Sequence, residues 1–234
     1  GVETAIKVLS KKGYWDAGDT KVVVIAGDGG TYDIGLQSLS GMLERRHGVL
    51  YILYDNEAYM NTGIQRSGST PKYAWTTTTP VGAAVRGKVQ WKKDIMGIVM
   101  AHRVPYAATA SISHILDLVN KVKTALEYTS EGPTFLHIFA PCVPGWRYPE
   151  NKTVEVARLA VETGYFPLYE WDHGKLRLNP PSNAHLDKSK RKPLKEFLRL
   201  QGRFAHLTDE EIAEIERELD AYWEYLGKLV QLTQ

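Results

Sequence analysis

The sequence contains one cysteine in 234 residues, which excludes an internal disulfide framework. It contains no apolar run of about 18 residues, the length that a membrane-spanning helix needs. Lys and Arg total 29 against 27 for Asp and Glu and are scattered, so nothing indicates a nucleic acid or a membrane surface as partner. Residues 1–8 have the pattern of an amphipathic helix rather than of a signal peptide. We therefore expect a cytoplasmic protein that binds neither nucleic acid nor membrane.

Two common phosphate-binding motifs are also absent. Residues 27–32 are Gly-Asp-Gly-Gly-Thr-Tyr, which lack the third glycine of the dinucleotide-binding fingerprint, and no Gly-Lys-Ser/Thr sequence of a P-loop occurs. What is present is a strand–helix–strand pattern around this glycine-rich turn. The β-branched run 21–26 predicts a buried strand, residues 31–46 have apolar side chains at helical spacing, and residues 49–54 predict a second strand.

A carboxylate and an amide follow the two predicted strands. Asp28 comes after the first strand and Asn56 after the second. Because parallel strands joined by one helix end at the same edge of a sheet, we expect these side chains to converge there. A carboxylate in a glycine-rich turn would repel a bare phosphate, whereas a Mg²⁺ ion between them would bind both. The glycines let the backbone approach a phosphate closely, and the following helix N-terminus attracts the anion.

The remaining pattern predicts an α/β fold, with a mostly parallel central sheet flanked by helices and a helical C-terminal extension. We expect an α/β domain at 1–150 that binds diphosphate and magnesium, and an extension at 151–234 whose helices pack on the same domain. A long loop without periodicity at 65–88 is of the kind that usually carries function. Further strands are predicted at 106–110, 134–139 and, as a hairpin, within 165–178. Further helices are predicted at 94–102, 113–128, 154–163, 193–202 and 208–232.

The helix at 113–128 has a clear amphipathic pattern. Its polar positions include Lys121 and Lys123, which we expect to point outward. Its apolar positions, which we expect to point inward, are Ile115, Leu116, Leu118, Val119, Val122 and Leu126.

Two motifs together resemble a known family. Gly27-Asp28-Gly29, followed after 26 residues by Asn56, matches the diphosphate and magnesium motif of thiamine diphosphate enzymes. The longer stretches 27–35 and 54–63 closely resemble the β subunit of the pyruvate:ferredoxin oxidoreductase (pyruvate synthase) family and its 2-oxoacid relatives. This resemblance implies the thiamine diphosphate-binding fold. It covers essentially the whole chain, because it continues through 65–71, Pro141-Cys142 and 198–204.

The resemblance also implies roles for individual residues. Asp28, Asn56 and the main-chain carbonyl of Ala58 would bind Mg²⁺. Asn61 would be the catalytic side chain that contacts the substrate or its cofactor-bound form. The residues expected to bind thiamine diphosphate are Gly27, Asp28, Gly29, Gly30, Asn56, Ala58, Tyr59, Met60, Asn61 and Thr62.

Cys142 permits two interpretations. As a lone cysteine it is a small buried apolar residue. By resemblance it ligates a [4Fe-4S] cluster near the thiamine ring, with the other three cysteine ligands in an N-terminal part that this sequence does not include. Trp146 and Arg147 would then shield the cluster or contact a neighbouring chain. His137, on the preceding predicted strand, fits a hydrogen-bonded core histidine.

The activity implied by the resemblance is oxidative decarboxylation of pyruvate to acetyl-CoA and CO₂, with coenzyme A taking the acetyl group and ferredoxin the electrons. The α-type, γ-type and ferredoxin-like δ-type subunits would complete the enzyme. The α-type chain would supply the glutamate that activates the thiamine ring, because Glu57 lies too close to the diphosphate end.

Three alternatives stay open at this point. The same machinery could act on oxalate or another 2-oxoacid. A non-redox thiamine decarboxylase or carboligase is a second enzyme class with the same cofactor motif. A non-catalytic scaffold subunit that binds a magnesium nucleotide is a third, from outside the enzymes.

Overall fold

Six strands form one sheet in the order β1-β2-β4-β3-β5-β6. The strands β1 to β4 run parallel, and β5 and β6 form a hairpin that pairs antiparallel with β3. The computed structural model describes residues 1–234. The mostly parallel sheet predicted from the sequence is confirmed. The strand bounds are β1 Val22–Gly27, β2 Val49–Asp55, β3 Tyr106–Ser111, β4 Thr134–Phe139, β5 Tyr169–Asp172 and β6 Lys175–Leu178.

Eight α-helices accompany the sheet. A capping box precedes the last one: the Thr208 hydroxyl accepts from the Glu211 N–H while the Glu211 carboxylate accepts from the Thr208 N–H. None of the helices combines the length and apolar character that crossing a membrane requires. The helix bounds are α1 Val2–Lys11, α2 Leu36–Glu44, α3 Ile95–Ala101, α4 Ile115–Glu127, α5 Val143–Trp146, α6 Thr153–Glu162, α7 Leu194–Arg199 and α8 Asp209–Leu232.

The parallel register brings three chain segments to one edge of the sheet. Gly27 pairs with Tyr54 at the ends of β1 and β2, and Asp55 pairs with Phe139 at the end of β4. The residues that follow these strands therefore begin side by side. They are the glycine-rich turn, the Asn56 turn and the Cys142 loop.

The predicted helix at 31–46 is wrong in its first part. A π-helical turn spans Gly29–Ile34, and α2 begins only at Leu36. Gly35 separates the two, because a Cβ atom at this position would lie 2.1 Å from the Gly30 carbonyl oxygen. The wider winding carries Ile34 to the surface, where 83% of its side chain is exposed.

The outer apolar surfaces also differ from expectation. β1 is an edge strand whose Val23 and Ile25 are exposed rather than buried. In α4 the predicted orientation is wrong for several positions, because Lys121 is buried. Its ammonium group donates to the Thr109 carbonyl oxygen at 2.9 Å and to Asp117 at 2.7 Å. The apolar α4 residues that lie exposed instead are Ile115, Leu116 and Val119.

The C-terminal third packs directly on the sheet. A core cluster joins Phe139 and Trp146 to side chains of α6, α7 and α8, among them Phe197 and Ile215. β5 and β6, which follow residue 150, belong to the same sheet as β1. The predicted division of the chain into a domain at 1–150 and an extension at 151–234 therefore stays a prediction.

Candidate metal and diphosphate site

Three polar groups meet at the carboxyl edge of the sheet, where β1 and β2 end. One terminal atom of the Asn56 amide lies 2.9 Å from Asp28 Oδ1 and 2.8 Å from the Ala58 carbonyl oxygen. If that atom is the amide nitrogen, it donates to both oxygens. If it is the amide oxygen, three oxygens converge with no proton between them. Oxygen ligands of octahedral Mg²⁺ lie about 2.1 Å from the ion, and therefore about 3 Å from one another, so the second arrangement has the spacing of a magnesium site.

Asp28 is a buried carboxylate without a cationic partner. Burial raises the pKa of its carboxyl to about 8, and the negative charges of Asp55 and Glu57 act in the same direction. The Ser67 hydroxyl donates to Asp28 Oδ2 and partly offsets these effects. A divalent cation placed against Oδ1 would supply the missing positive charge and favour the ionised form.

Asp55, one residue before Asn56, is equally buried but fully compensated. His137 Nε2 lies 2.6 Å from Asp55 Oδ2, and the Ser69 hydroxyl is 2.7 Å from both carboxylate oxygens. Burial alone would raise the pKa of Asp55, but the hydrogen bond and charge of His137 outweigh it and lower the pKa to about 2. His137 is thus the hydrogen-bonded core histidine that the sequence indicated.

A turn rich in hydroxyl side chains, residues 67–70, packs against these residues, and it was not predicted from the sequence. Ser67 and Ser69 bind Asp28 and Asp55, and the Thr70 hydroxyl donates to the Glu57 carbonyl oxygen at 2.7 Å. The buried ammonium group of Lys88 donates to the Thr70 carbonyl oxygen from the other side. The only available signal was that residues 65–71 lie in a long loop without periodicity.

Both the carboxylate and the main-chain N–H of Glu57 have partners within the chain. Its carboxylate is fully buried and binds Arg203 and Lys92, and the Tyr165 hydroxyl donates to it at 2.8 Å. Its own N–H donates to Asp55 Oδ1 at 2.9 Å. Both carboxylate oxygens of Glu57 are therefore occupied, Oε1 by Lys92 and Tyr165 and Oε2 by Arg203.

The glycines of the turn have two different roles. A Cβ atom on Gly29 would lie 2.2 Å from the Tyr59 ring, and the Tyr59 hydroxyl donates to the Gly29 carbonyl oxygen at 2.9 Å. Gly29 therefore permits Tyr59 to pack on the turn. Gly27 and Gly30 have open space at the Cβ position. Their backbone is accessible to a ligand such as a diphosphate.

The remaining predicted residues lie on the neighbouring loops. Asn61 is exposed and its amide makes no hydrogen bond within the chain, and the nearby Thr62 hydroxyl donates to Gln65. Cys142 is half-buried at the start of α5. A Cβ atom on Gly145 would lie 2.3 Å from Met60 Sδ and 3.5 Å from Cys142 Sγ. The Cys142 loop therefore packs against the segment that carries Asn61.

A cavity of about 430 Å³ lies elsewhere, between the sheet and α8. His137 and Tyr165 belong to its wall, but Asp28 and Asn56 do not. The Asn56 amide and the two oxygens that it approaches are therefore at the sheet edge and not inside this cavity.

Comparison with known proteins identifies the family. Residues 2–138 match the model of the thiamine pyrophosphate enzyme, C-terminal TPP binding domain. The ketoisovalerate oxidoreductase subunit VorB of Pyrococcus abyssi is 51% identical over 234 residues, which cover 99% of this chain and 72% of that protein. The pyruvate synthase subunit PorB of Thermotoga maritima is 52% identical over 241 aligned positions, covering 100% of this chain and 72% of the relative. The PorB subunit of Methanocaldococcus jannaschii is 51% identical over 228 residues, covering 97% and 74%.

A solved structure supports the same fold. The 2-oxoglutarate:ferredoxin oxidoreductase from Magnetococcus marinus, solved with 2-oxoglutarate, coenzyme A and succinyl-CoA bound, superimposes with a TM-score of 0.53 at 21% identity. The match covers 92% of this chain and 71% of that one. The chain belongs to the family of thiamine diphosphate-binding subunits of the 2-oxoacid oxidoreductases.

Proposed function

We propose that this chain binds the diphosphate end of thiamine diphosphate through Mg²⁺ and is the catalytic β subunit of a 2-oxoacid:ferredoxin oxidoreductase. The observation that supports this best is the meeting of Asp28 Oδ1, the Asn56 amide and the Ala58 carbonyl oxygen at 2.8–2.9 Å. A carboxylate, an amide and a main-chain carbonyl are the hard oxygen donors that Mg²⁺ prefers. Two diphosphate oxygens and a water would complete six ligands.

The residues around this metal site have distinct proposed roles. Gly27, Gly29 and Gly30 present their backbone to the diphosphate, and Tyr59 fixes the glycine turn through its hydrogen bond to Gly29. Met60 and Thr62 line the cofactor on the following loop. Bound thiamine diphosphate supplies the electron sink that decarboxylation of a 2-oxoacid requires.

Asn61 is proposed as the side chain that contacts the substrate. Its amide is exposed, three residues beyond Ala58, and has no hydrogen-bond partner within the chain. It can therefore donate to, or accept from, a bound oxoacid without first breaking an internal hydrogen bond. Its part is orientation of the substrate.

Cys142 is proposed as one ligand of a [4Fe-4S] cluster. Its sulfur lies on the loop after β4, at the same sheet edge as Asp28, and packs near Met60. One thiolate supplies one of the four ligands that such a cluster needs, and Cys142 is the one cysteine of the sequence, so other segments or subunits would supply the rest.

The enzyme is proposed to be completed by other subunits. An α-type chain would supply the ring-side glutamate, since Glu57 is held by Arg203, Lys92 and Tyr165. A γ-type subunit, a ferredoxin-like δ-type subunit and free ferredoxin would take part in coenzyme A and electron transfer. The cytoplasmic location expected from the sequence stays a prediction.

Pyruvate is the first proposed substrate, with acetyl-CoA and CO₂ as products. A branched 2-oxoacid is the second candidate, because a ketoisovalerate oxidoreductase subunit is as similar to this chain as the pyruvate synthase subunits are, at 51% against 51% and 52% identity. Nothing within the chain favours oxalate over these two.

The assembled complex should be tested with pyruvate, ketoisovalerate, oxalate and 2-oxoglutarate for coenzyme A-dependent reduction of a viologen dye. We expect the highest kcat/KM with pyruvate and strict dependence on thiamine diphosphate and Mg²⁺. A Cys142→Ala complex should retain cofactor binding but lose one cluster signal in its reduced EPR spectrum. Dye reduction that is independent of thiamine diphosphate, or an EPR spectrum unchanged by Cys142→Ala, would contradict the corresponding part of the proposal.

A further inference from the structure

The metal-binding turn 56–58 depends on an unusual backbone conformation. The side chain of Asn56 and the carbonyl oxygen of Ala58 meet although they are two residues apart. Between them Glu57 has a φ of 64°, in the left-handed region that residues other than glycine rarely occupy. Such a conformation persists only where the surroundings hold it.

The contacts of the Glu57 side chain stabilise this backbone conformation. Arg203, which is 2% exposed, binds its carboxylate from the segment after α7. Arg203 is itself fixed by Gln201, whose side-chain oxygen accepts from Nε at 2.9 Å. The main-chain N–H of Trp75 also donates to the Arg203 carbonyl oxygen at 3.0 Å, which anchors this segment to the rest of the chain.

Trp146 stabilises the turn through a hydrogen bond to its main chain. Its indole Nε1 donates to the Asn56 carbonyl oxygen at 2.8 Å. The Arg203 guanidinium lies 3.7 Å from the centre of the Trp146 ring. Arg203 therefore contacts both the side chain of Glu57 and the indole that binds Asn56. Arg203 and Trp146 together contact the turn 56–58 at two of its residues.

We propose that Arg203 and Trp146 are positioning residues that keep the Asn56 amide and the Ala58 carbonyl oxygen at metal-ligand spacing. This inference rests on the proposed function of that turn. Trp146 belongs to α5, which follows Cys142 directly, so the same contact fixes the Cys142 loop relative to the metal site. Partners that orient metal ligands from behind commonly change metal affinity 10- to 100-fold when they are removed.

The chain contains a matched control for this arrangement. Arg191 lies 4.8 Å over the ring of Trp223, pairs with Asp220 at 2.8 Å, and the Trp223 indole donates to the Gly164 carbonyl oxygen at 2.9 Å. Trp223 is as deeply buried as Trp146. This second cluster makes no hydrogen bond to residues 56–58. It therefore has the same kind of packing and indole hydrogen bond, but no contact with the proposed metal site.

The test compares Trp146→Phe with Trp223→Phe in the assembled complex. Each variant keeps an aromatic ring and loses one indole hydrogen bond. Mn²⁺ is titrated with saturating thiamine diphosphate, free Mn²⁺ is followed by EPR, and melting temperature is measured separately. We expect Trp146→Phe to raise the Kd for Mn²⁺ about 10-fold or more and Trp223→Phe to leave it unchanged, while both lower the melting temperature to a similar extent. Arg203→Lys, which keeps the charge but loses the planar stacking group, should fall between wild type and Trp146→Phe.

A spectroscopic readout covers the case in which Trp146→Phe does not assemble. In protein labelled with 5-fluorotryptophan, Mg²⁺ and thiamine diphosphate should shift the ¹⁹F resonance of Trp146 and not that of Trp223. Equal Kd values for wild type and Trp146→Phe, or equal weakening by both tryptophan variants, would overturn the inference while leaving the proposed function standing. A wild-type complex that does not bind Mn²⁺ with thiamine diphosphate would overturn both.

Discussion

Asp28 and Asp55 stand at the ends of neighbouring parallel strands, are both buried, and have opposite pKa shifts. The pKa of Asp28 is raised to about 8 by burial and by the charges of Asp55 and Glu57. That of Asp55 is lowered to about 2 because His137, together with Lys92 and Ser69, outweighs the effect of burial. The fold therefore gives one carboxylate close partners of its own, His137 and Ser69, and leaves the other without a basic partner.

This difference separates a structural acid, Asp55, from the proposed metal ligand, Asp28. Asp55 binds the hydroxyl turn through Ser69 and receives the Glu57 N–H, so it organises the chain around it. Asp28 has only the Ser67 hydroxyl and the Asn56 amide atom near its oxygens. A divalent cation stabilises the ionised form of such an unpaired buried carboxylate more than it stabilises a carboxylate that already has a partner.

The largest expected effect is that of Asp28→Asn, which removes the negative charge and one oxygen of the proposed metal ligand. Mg²⁺ affinity in the presence of thiamine diphosphate should fall at least about 100-fold, since ligand charge dominates binding of hard cations. The metal-free variant should melt higher than wild type at pH 8. An acid whose folded pKa is raised contributes stability below its unfolded pKa and loses it as pH rises through the folded value.

Isothermal titration of Mg²⁺ and thermal unfolding in EDTA between pH 4 and pH 8.5 measure both effects of Asp28→Asn. The melting-temperature gain should become small near pH 4, because wild-type Asp28 is then protonated in the folded state and about half protonated in the unfolded state. Asp16→Asn, at an exposed turn, is the control. Wild-type metal affinity in Asp28→Asn would show that Asp28 is not a ligand.

His137→Gln should remove the difference between the two carboxylates. It removes the imidazole that lies 2.6 Å from the buried Asp55 carboxylate, which costs about 3 kcal/mol of unfolding free energy near neutral pH. Wild-type Asp55 contributes stability above its unfolded pKa and loses it only as pH falls towards about 2. Without His137 the buried Asp55 can regain a proton, so the destabilisation should shrink as pH falls from 7 to 4.

Urea unfolding of metal-free protein at pH 7, 5.5 and 4 checks the His137→Gln prediction. His102→Gln is the matched control, because His102 binds the Ser40 hydroxyl at 2.8 Å and no carboxylate. A destabilisation that stays constant with pH would mean that His137 acts by packing and not by its charge.

Ser67→Ala tests the hydroxyl that holds the second oxygen of Asp28. Because this hydroxyl orients the carboxylate and favours its ionised form, its loss should weaken Mg²⁺ binding about 10- to 100-fold. Ser67→Thr, which keeps the hydroxyl, should restore most of the affinity. Titration calorimetry on both variants, with Thr163→Ala as a buried-hydroxyl control directly after α6, provides the measurement. Equal affinities in the alanine and threonine variants would contradict this role.

The part of the site that the sequence predicted follows from periodicity and strand topology. Asp28 and Asn56 come after recognisable strands, and parallel strands must end at one edge. Ser67 and Arg203 could not be placed, because their partners Asp28 and Glu57 are 39 and 146 residues away and neither lies in a periodic element facing the site. Their contacts depend on tertiary packing alone.

The misjudged parts of the fold have related causes. The sequence does not give strand order, so it could not show that β1 lies at the sheet edge with one face uncovered. Lys121 was expected outside because of its charge, yet its ammonium group finds Thr109 and Asp117 while its aliphatic stem is buried. Helical spacing likewise cannot distinguish an α-helix from the π-helical turn that precedes Gly35.

The smallest expected effect is that of Ala58→Gly, which tests the main chain of residue 58 separately from its side chain. The third proposed ligand is the Ala58 carbonyl oxygen, which the substitution retains. The added freedom of glycine in the unfolded chain should cost about 0.4–1 kcal/mol of stability. Mg²⁺ affinity should nevertheless remain within about threefold of wild type, because the turn is held by Glu57 and Trp146 and not by the Ala58 methyl group. Titration and urea unfolding on the same preparation decide this, and a loss of affinity as large as that of Ser67→Ala would mean that the methyl group itself shapes the site.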